Sequence, residues 1–243
     1  MKALTPLQLL ECTRPAANAG VCEVWLISAG IDAPGRKTLE GLLSEDERSR
    51  AGRFRFEEDR ARFVVARGAL RWILASWCSV PADCIQFRQG KHGKPELLTP
   101  SASVEFNVSH SGEYAMIAVT SGTECGADIE VERPGMSEGL IAAKYFCRQE
   151  VEWLSHTDAG FVRLWATKEA VIKALGGGLT IPLCDFDVTG VLEGRTSTVT
   201  IATGDPAPRT LWLSEIQAPP GYAAAIATLS ERRIVAGNCR LRS

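Results

Sequence analysis

Two short segments of this chain supply carboxylates and lysines in a pattern suited to phosphate chemistry. The first is Gly126-Ala127-Asp128-Ile129-Glu130, inside a run that alternates like a strand. A period of two puts Asp128 and Glu130 on one face, with Ile129 pointing the other way. The second is Trp165-Ala166-Thr167-Lys168-Glu169-Ala170-Val171-Ile172-Lys173, inside a run with helical periodicity. There Glu169 and Lys173 are four apart and therefore neighbours on one face. Three acidic oxygen donors can hold a hard divalent cation, and an adjacent lysine can meet a phosphate. The chemistry indicated is metal-assisted phosphoryl chemistry.

Each piece also has an ordinary reading. A Glu–Lys pair at i,i+4 is far more often a surface salt bridge, and most D-x-E pairs on strands are solvated. Phe161, Leu164, Trp165, Ile172 and Leu175 form an apolar stripe on the helix, and Lys168 falls in its middle. A lysine aimed at a core must be paired, or must snorkel past its neighbours to water. Asn107-Val108-Ser109-His110-Ser111-Gly112 can offer backbone N–H groups, two hydroxyls and an imidazole to an anion, or it is simply a serine- and glycine-rich turn. The arginines between Arg48 and Arg71 form either a basic patch or, with the interleaved Glu45–Glu47 and Glu57–Asp59, a salt-bridged helix surface.

The elements that must position these groups follow from capping and periodicity. Val21–Ser28 reads as a first strand. Ser44 followed by Glu47 has the form of a capping box and opens a helix through about Phe54. Asp59–Cys78 is a longer helix, with Phe63, Ala66, Leu70, Ile73 and Trp77 at helical spacing. Gly90–Pro95 is a loop by composition. Val104–Val108, Tyr114–Thr120 and Cys125–Val131 read as strands of an antiparallel meander, with Ser-Gly turns between them. Helical stretches over Leu140–Phe146, Gln149–Leu154 and Phe161–Leu175 follow, the last ended by Gly176-Gly177-Gly178. Strands are expected at Phe186–Val191, Thr196–Ala202, Leu211–Gln217 and Tyr222–Leu229. Each half runs strand, helices, strands: an α+β pseudo-dimer of two similar halves, residues 1–122 and 123–243, each a small antiparallel-rich sheet packed with helices.

Composition bounds the class. The 243 residues, 45% hydrophobic and 23% charged, are enough to bury a substantial core. A net charge of −2 weighs against a general nucleic-acid binder. Eight cysteines without a C-x-x-C pair, and three histidines without ligand spacing to them, point to small buried residues or free thiols rather than a zinc site or a disulfide framework. No secretory signal or membrane span is legible, so the cytoplasm is the expected compartment.

The order of the pieces is specific. Gly93-Lys94-Pro95, then Phe106-Asn107-Val108-Ser109-His110-Ser111, then Gly126-Ala127-Asp128-Ile129-Glu130, then Trp165-x-x-Lys168-Glu169-x-x-x-Lys173 and Gly176-x-Gly178-Leu179 closely resemble the 4′-phosphopantetheinyl transferases. The length and the early arginine-rich helix look like the long, Sfp-type branch. The resemblance runs from about Leu43 to Leu183, and Pro220-Gly221-Tyr222 with its strand looks like the family's C-terminal strand. It implies a monomeric pseudo-dimer with coenzyme A in the cleft between the halves. It implies transfer of the 4′-phosphopantetheine arm to a serine of an apo acyl or peptidyl carrier protein, with release of adenosine 3′,5′-bisphosphate. By the same resemblance Asp128, Glu130 and Glu169 match the Mg²⁺ ligands, and Lys173 matches the lysine at the pyrophosphate that assists the leaving group. Lys94, Ser109 and His110 match coenzyme A phosphate contacts, Lys168 is placed with them, and Arg50 matches a basic position facing the 3′-phosphate. Glu47 departs from a lysine found in a relative. Glu169, directly or through a metal-bound water, is the leading candidate for the base that takes the serine proton. Two rival classes remain: a non-catalytic binding module of the same fold, and a metal-dependent nuclease. The acidic balance disfavours the nuclease.

Overall fold

The computed structural model describes residues 20–30, 33–90, 94–98, 103–133, 138–157, 160–178, 181–202 and 207–236. Lys91, His92 and Gly93 of the glycine loop, and Leu179, lie outside them. The described chain runs β1 (Val21–Ser28), α1 (Ala33–Gly41), α2 (Glu45–Ala51), α3 (Glu57–Cys78), β2 (Phe87–Gln89), β3 (Pro95–Leu97), β4 (Val104–Ser111), β5 (Tyr114–Ser121) and β6 (Cys125–Val131). It continues with α4 (Glu138–Tyr145), α5 (Arg148–Leu154), α6 (Gly160–Leu175), α7 (Thr189–Leu192), β7 (Thr198–Ile201), β8 (Arg209–Ile216), β9 (Tyr222–Thr228) and β10 (Arg233–Ala236).

Two four-stranded sheets lie face to face. The first has the order β10-β1-β5-β4 and the second β6-β9-β8-β7, while β2 and β3 form a separate hairpin. Alternation along each strand assigns its two faces. Val24 and Leu26 of β1, Met116 and Ala118 of β5, Ala127 and Ile129 of β6, and Ala224 and Ile226 of β9 share the core between the sheets. The opposite face of the first sheet, through Trp25, Ile27, Ile117 and Val119, packs on Val65, Ala69 and Ile73 of α3. The opposite face of the second, through Leu211, Leu213, Ala223 and Ala225, packs on Leu164, Ala170, Val171 and Ala174 of α6. The result is a helix–sheet–sheet–helix stack, a mixed fold of two antiparallel-rich halves. β10 is the exception, since it crosses back to pair in parallel with β1 of the other half.

Several expectations are corrected. The three central strands do not form one meander: β4 and β5 pair with each other, but β6 pairs with β9 in the second sheet. No strand forms over Phe186–Val191. Asp187 there accepts from the N–H of Thr189 at 2.9 Å and from its hydroxyl at 3.0 Å, and this local bonding starts the single turn of α7. The helix α1, the β2–β3 hairpin and β10 have too short or too weak a pattern to be read in advance. The Ser44 capping box is present with both reciprocal bonds. Gly176, at φ +67°, follows α6 directly.

One glycine sets the distance between the two motif-bearing elements. Gly126 faces α6, and a Cβ there would lie 2.0 Å from the carbonyl oxygen of Ala170 and 2.3 Å from the nitrogen of Ala174. Strand and helix touch backbone to backbone, as only glycine allows. We expect Gly126→Ala to force α6 off β6 and to cost about 3 kcal/mol or more. Urea denaturation checks this, and a loss below about 1 kcal/mol would show that the helix can move aside.

Candidate functional site

The site lies where β4 of the first sheet meets β6 of the second. Each is the edge strand of its sheet, so the seam must satisfy backbone groups that no neighbouring strand takes up. Side chains of β4 do so. The Asn107 side-chain oxygen accepts from the N–H of Ala127 at 3.0 Å, and Ser111 Oγ accepts from the N–H of Val131 at 3.2 Å. The same face of β4 grips the acidic residues of β6. Ser109 Oγ donates to Asp128 Oδ1 at 2.7 Å, and Ser111 Oγ donates to Glu130 Oε2 at 2.8 Å. The alternation Asn107, Ser109, Ser111 is therefore a seam-facing strand rather than a turn.

Across the seam, α6 brings Lys173 onto the same pair of residues. Its Nζ lies 2.5 Å from Asp128 Oδ1 and 3.1 Å from Ser109 Oγ. Asp128 is only 1% exposed, and among the described residues its second oxygen, Oδ2, is fully buried with no hydrogen-bond partner. Burial pushes the Asp128 carboxyl up to about 6, against the opposing pull of Lys173 and Ser109. Glu169, one turn before Lys173, is also raised by burial, lowered by Lys173 and raised again by the nearby charge of Glu130. The three acids thus share one field, although they do not bring one oxygen each within 4.8 Å of one another. Among the described residues, Cys147, Glu150 and Asp187 are the group with such mutual proximity.

That second group is not a cation site in waiting, because Lys168 already fills it. Lys168 is wholly buried and donates to Glu150 Oε1 and to the carbonyl oxygen of Phe186, both at 2.5 Å. Its ammonium also lies 4.1 Å from the centre of the Phe186 ring. Glu150 in turn accepts from the N–H of Cys147 and of Val188. Desolvation lowers the Lys168 pKa, and Glu150 opposes the shift. The expectation that Lys168 contacts coenzyme A is corrected: it is a paired core lysine, turned away from the seam.

The other expected residues divide in two. His110 and Arg50 line one large cavity of about 860 Å³, together with Phe54, Phe63, Phe87 and Arg133. Arg50 lies over the Phe63 ring at 5.1 Å. Ser111 opens onto this cavity too, which joins it to the acidic cluster. Ser109 does not line it; its hydroxyl faces Asp128 and Lys173 instead. Lys94 Nζ caps the C-terminal end of α6 by donating to the Lys173 carbonyl at 3.3 Å. Glu47, the departure noted in the sequence, adds no free negative charge to the cavity. Its carboxylate accepts from Arg71 at 2.6 Å, from Arg67 at 3.0 Å and from the Ser44 N–H of its own capping box.

Sequence reasoning missed Arg133, the Phe54–Phe63 pair and the clamp from Ser111 to Glu130. Only the N-x-S-x-S alternation carried a signal for the last. On the far side of Glu130 and Arg133 is a smaller cavity of about 190 Å³, walled by Ile141, Phe161, Val162 and Trp165. The arrangement therefore offers a basic chamber, a carboxylate–lysine cluster and an apolar slot in sequence. A molecule with a multiply phosphorylated end and a less polar arm fits that order.

Comparison with known proteins gives the same direction. Residues 36–122 match the family model described as 4′-phosphopantetheinyl transferase, N-terminal, and residues 124–227 match that of the 4′-phosphopantetheinyl transferase superfamily. The chain is 36% identical over 166 residues to 4′-phosphopantetheinyl transferase HetI of Nostoc sp., covering 65% of this chain and 70% of that one. It is 29% identical over 190 residues to 4′-phosphopantetheinyl transferase Sfp of Bacillus subtilis, covering 76% and 81%. It is 32% identical over 187 residues to the L-aminoadipate-semialdehyde dehydrogenase-phosphopantetheinyl transferase of Mus musculus, covering 68% of this chain and 60% of that protein.

The raised carboxyl of Asp128 has a consequence for stability. A folded pKa above the unfolded value gives a contribution fully present below about 4 and lost as pH rises through about 6. At neutral pH the ionised, half-satisfied Asp128 therefore costs about 2–3 kcal/mol. We expect Asp128→Asn to unfold at higher denaturant than the parent at pH 8, with the gap closing as pH falls toward 4. A gap that does not change with pH would show that Asp128 titrates normally.

Proposed function

Because this chain belongs to the 4′-phosphopantetheinyl transferase superfamily, we propose that it transfers the 4′-phosphopantetheine group of coenzyme A to a serine hydroxyl of an apo carrier protein. The observation that carries this reading is the cluster of Asp128, Glu130, Glu169 and Lys173, held at the seam between the halves and joined through Ser111 to the arginine-lined cavity. In the reaction the serine oxygen bonds to the phosphorus bearing the pantetheine arm. The bond from that phosphorus to the bridging oxygen breaks, and adenosine 3′,5′-bisphosphate leaves with the electron pair.

The donor set fits a hard divalent cation. It consists of carboxylates only, and one of their oxygens, Asp128 Oδ2, is buried without a partner among the described residues. Asp128, Glu130 and Glu169 would hold Mg²⁺, which supplies charge neutralisation at the pyrophosphate when bound. The chain's own groups do the rest. Arg50, His110 and Arg133 receive the nucleotide phosphates in the large cavity, and the slot lined by Phe161 and Trp165 takes the arm. Lys173 meets the charge that grows on the departing oxygens. Glu169, one turn before Lys173 in the same cluster, takes the serine proton. Transfer of this kind relies on positioning and electrostatics rather than covalent catalysis.

Incubating the protein with coenzyme A, Mg²⁺ and an apo carrier protein should add the phosphopantetheine mass to the carrier. No mass shift on any of a panel of acyl and peptidyl carriers would overturn the proposal. Lys173→Ala should lower kcat by roughly 10²- to 10⁴-fold with a smaller change in the KM for coenzyme A. Lys173→Arg should restore only part of it, since a guanidinium keeps charge but does not give up its proton. Near-normal turnover in Lys173→Ala would reduce the residue to a salt-bridge partner.

The carrier should dock beside the slot. Phe146, just beyond α4, is 5% exposed and packs on Phe161 and Trp165, whereas Tyr145, the last residue of α4, is 40% exposed with Lys144 over its ring. Tyr145→Ala should raise the carrier KM about tenfold while leaving the fold intact. An unchanged carrier KM would place the docking surface elsewhere.

A further inference from the structure

We infer that Ser109 and Ser111 set how many oxygens Asp128 and Glu130 offer a cation, and thereby select Mg²⁺-sized ions over Ca²⁺. The inference rests on the metal site proposed above. It begins from how each hydroxyl is used. A serine hydroxyl has one proton to donate. Ser111 Oγ accepts from the N–H of Val131, so its proton is committed to Glu130 Oε2 at 2.8 Å. Ser109 Oγ accepts from Lys173 at 3.1 Å, so its proton is committed to Asp128 Oδ1 at 2.7 Å.

Both acceptor oxygens lie on the side of the carboxylate turned toward β4. Among the described residues, Asp128 Oδ1 carries two donors, Ser109 and Lys173, while Oδ2 carries none. Ser111 engages Oε2 of Glu130 and leaves Oε1 outside the bond. A carboxylate with one oxygen held by a donor binds a cation through the other, as a monodentate ligand. Mg²⁺ wants six oxygens at short, near-octahedral positions and is well served by monodentate acids plus water. Ca²⁺ takes six to eight ligands at longer distances and gains from bidentate carboxylates. The seam serines remove that gain. They touch no reacting atom in this scheme and act through the acids, as positioning residues.

The two serines are also well placed to be rigid. Both are buried, and both sit on β4, whose backbone is locked by its ladder with β5. Asn107, two residues earlier, ties the same face to the backbone of β6. The spacing of the donors on β4 thus matches that of the acids on β6, two residues in each strand.

The test is Mn²⁺ binding to the full-length protein, read by electron paramagnetic resonance, with Mg²⁺ and Ca²⁺ as competitors and no turnover involved. In the parent, Mg²⁺ should displace Mn²⁺ far better than Ca²⁺ does. In Ser109→Ala and in Ser111→Ala the preference should move toward Ca²⁺ by roughly tenfold. Ser111→Thr, which keeps the hydroxyl, should retain the parent's preference. Parallel weakening of both competitors, or an unchanged ratio, in either folded alanine variant would overturn the inference. Should one alanine variant fail to fold in a thermal melt, the other decides alone. Asp128→Ala separates this from the underlying reading: Mn²⁺ affinity untouched by that change would remove the metal site itself. Affinity lost in Asp128→Ala with an unmoved ratio in the serine variants would remove only the selection.

Discussion

An edge strand and a buried carboxylate pose the same problem, since each holds polar groups that must find partners away from water. Here one seam answers both. Strand β6 ends its sheet and carries Asp128 and Glu130; strand β4 ends the other sheet and carries Asn107, Ser109 and Ser111. Two backbone N–H groups and two carboxylates of β6 are taken up by three side chains of β4. The acids can be drawn into the protein because the facing half supplies their donors. Neither half alone contains this site.

The seam also explains why the acids are poised rather than quenched. Burial holds the Asp128 carboxyl up near 6 even though a serine and a lysine donate to one oxygen, and among the described residues nothing donates to the other. Stability is given up at a place where an ionised oxygen is wanted, as at other functional sites. Gly126 makes the arrangement possible by removing the side chain that would hold α6 away from β6. Without that approach Lys173 would stand too far from Asp128 to pair with it.

Much of this was legible in the sequence, for identifiable reasons. Period-two alternation placed Asp128 and Glu130 on one face, and helical spacing placed Glu169 beside Lys173. The capping box at Ser44 and Glu47 was local and therefore readable. What could not be read was tertiary. The run from Asn107 to Ser111 has the composition of a turn, yet β5 keeps it extended by pairing along its whole length. The departure of β6 to the other sheet depends on β9, about a hundred residues later in the chain. The second use of Glu47, as the shared partner of Arg67 and Arg71, needs two turns of α3 to face α2.

Lys168 and Lys173 show most clearly where sequence pattern stops. Both sit on α6, five residues apart, which separates their directions by about 140° around the axis. Periodicity puts Lys168 in the apolar stripe, and that is where it lies, but periodicity cannot say what meets it there. Glu150, on a helix of its own, and the carbonyl of Phe186 supply the answer by enclosing the ammonium completely. A buried pair of this kind contributes little net stability, yet removing one partner leaves a costly lone charge. It therefore fixes the rotation of α6 more than it strengthens the fold. With Lys168 locked to one side, Glu169 and Lys173 have one way left to face, and that way is the seam.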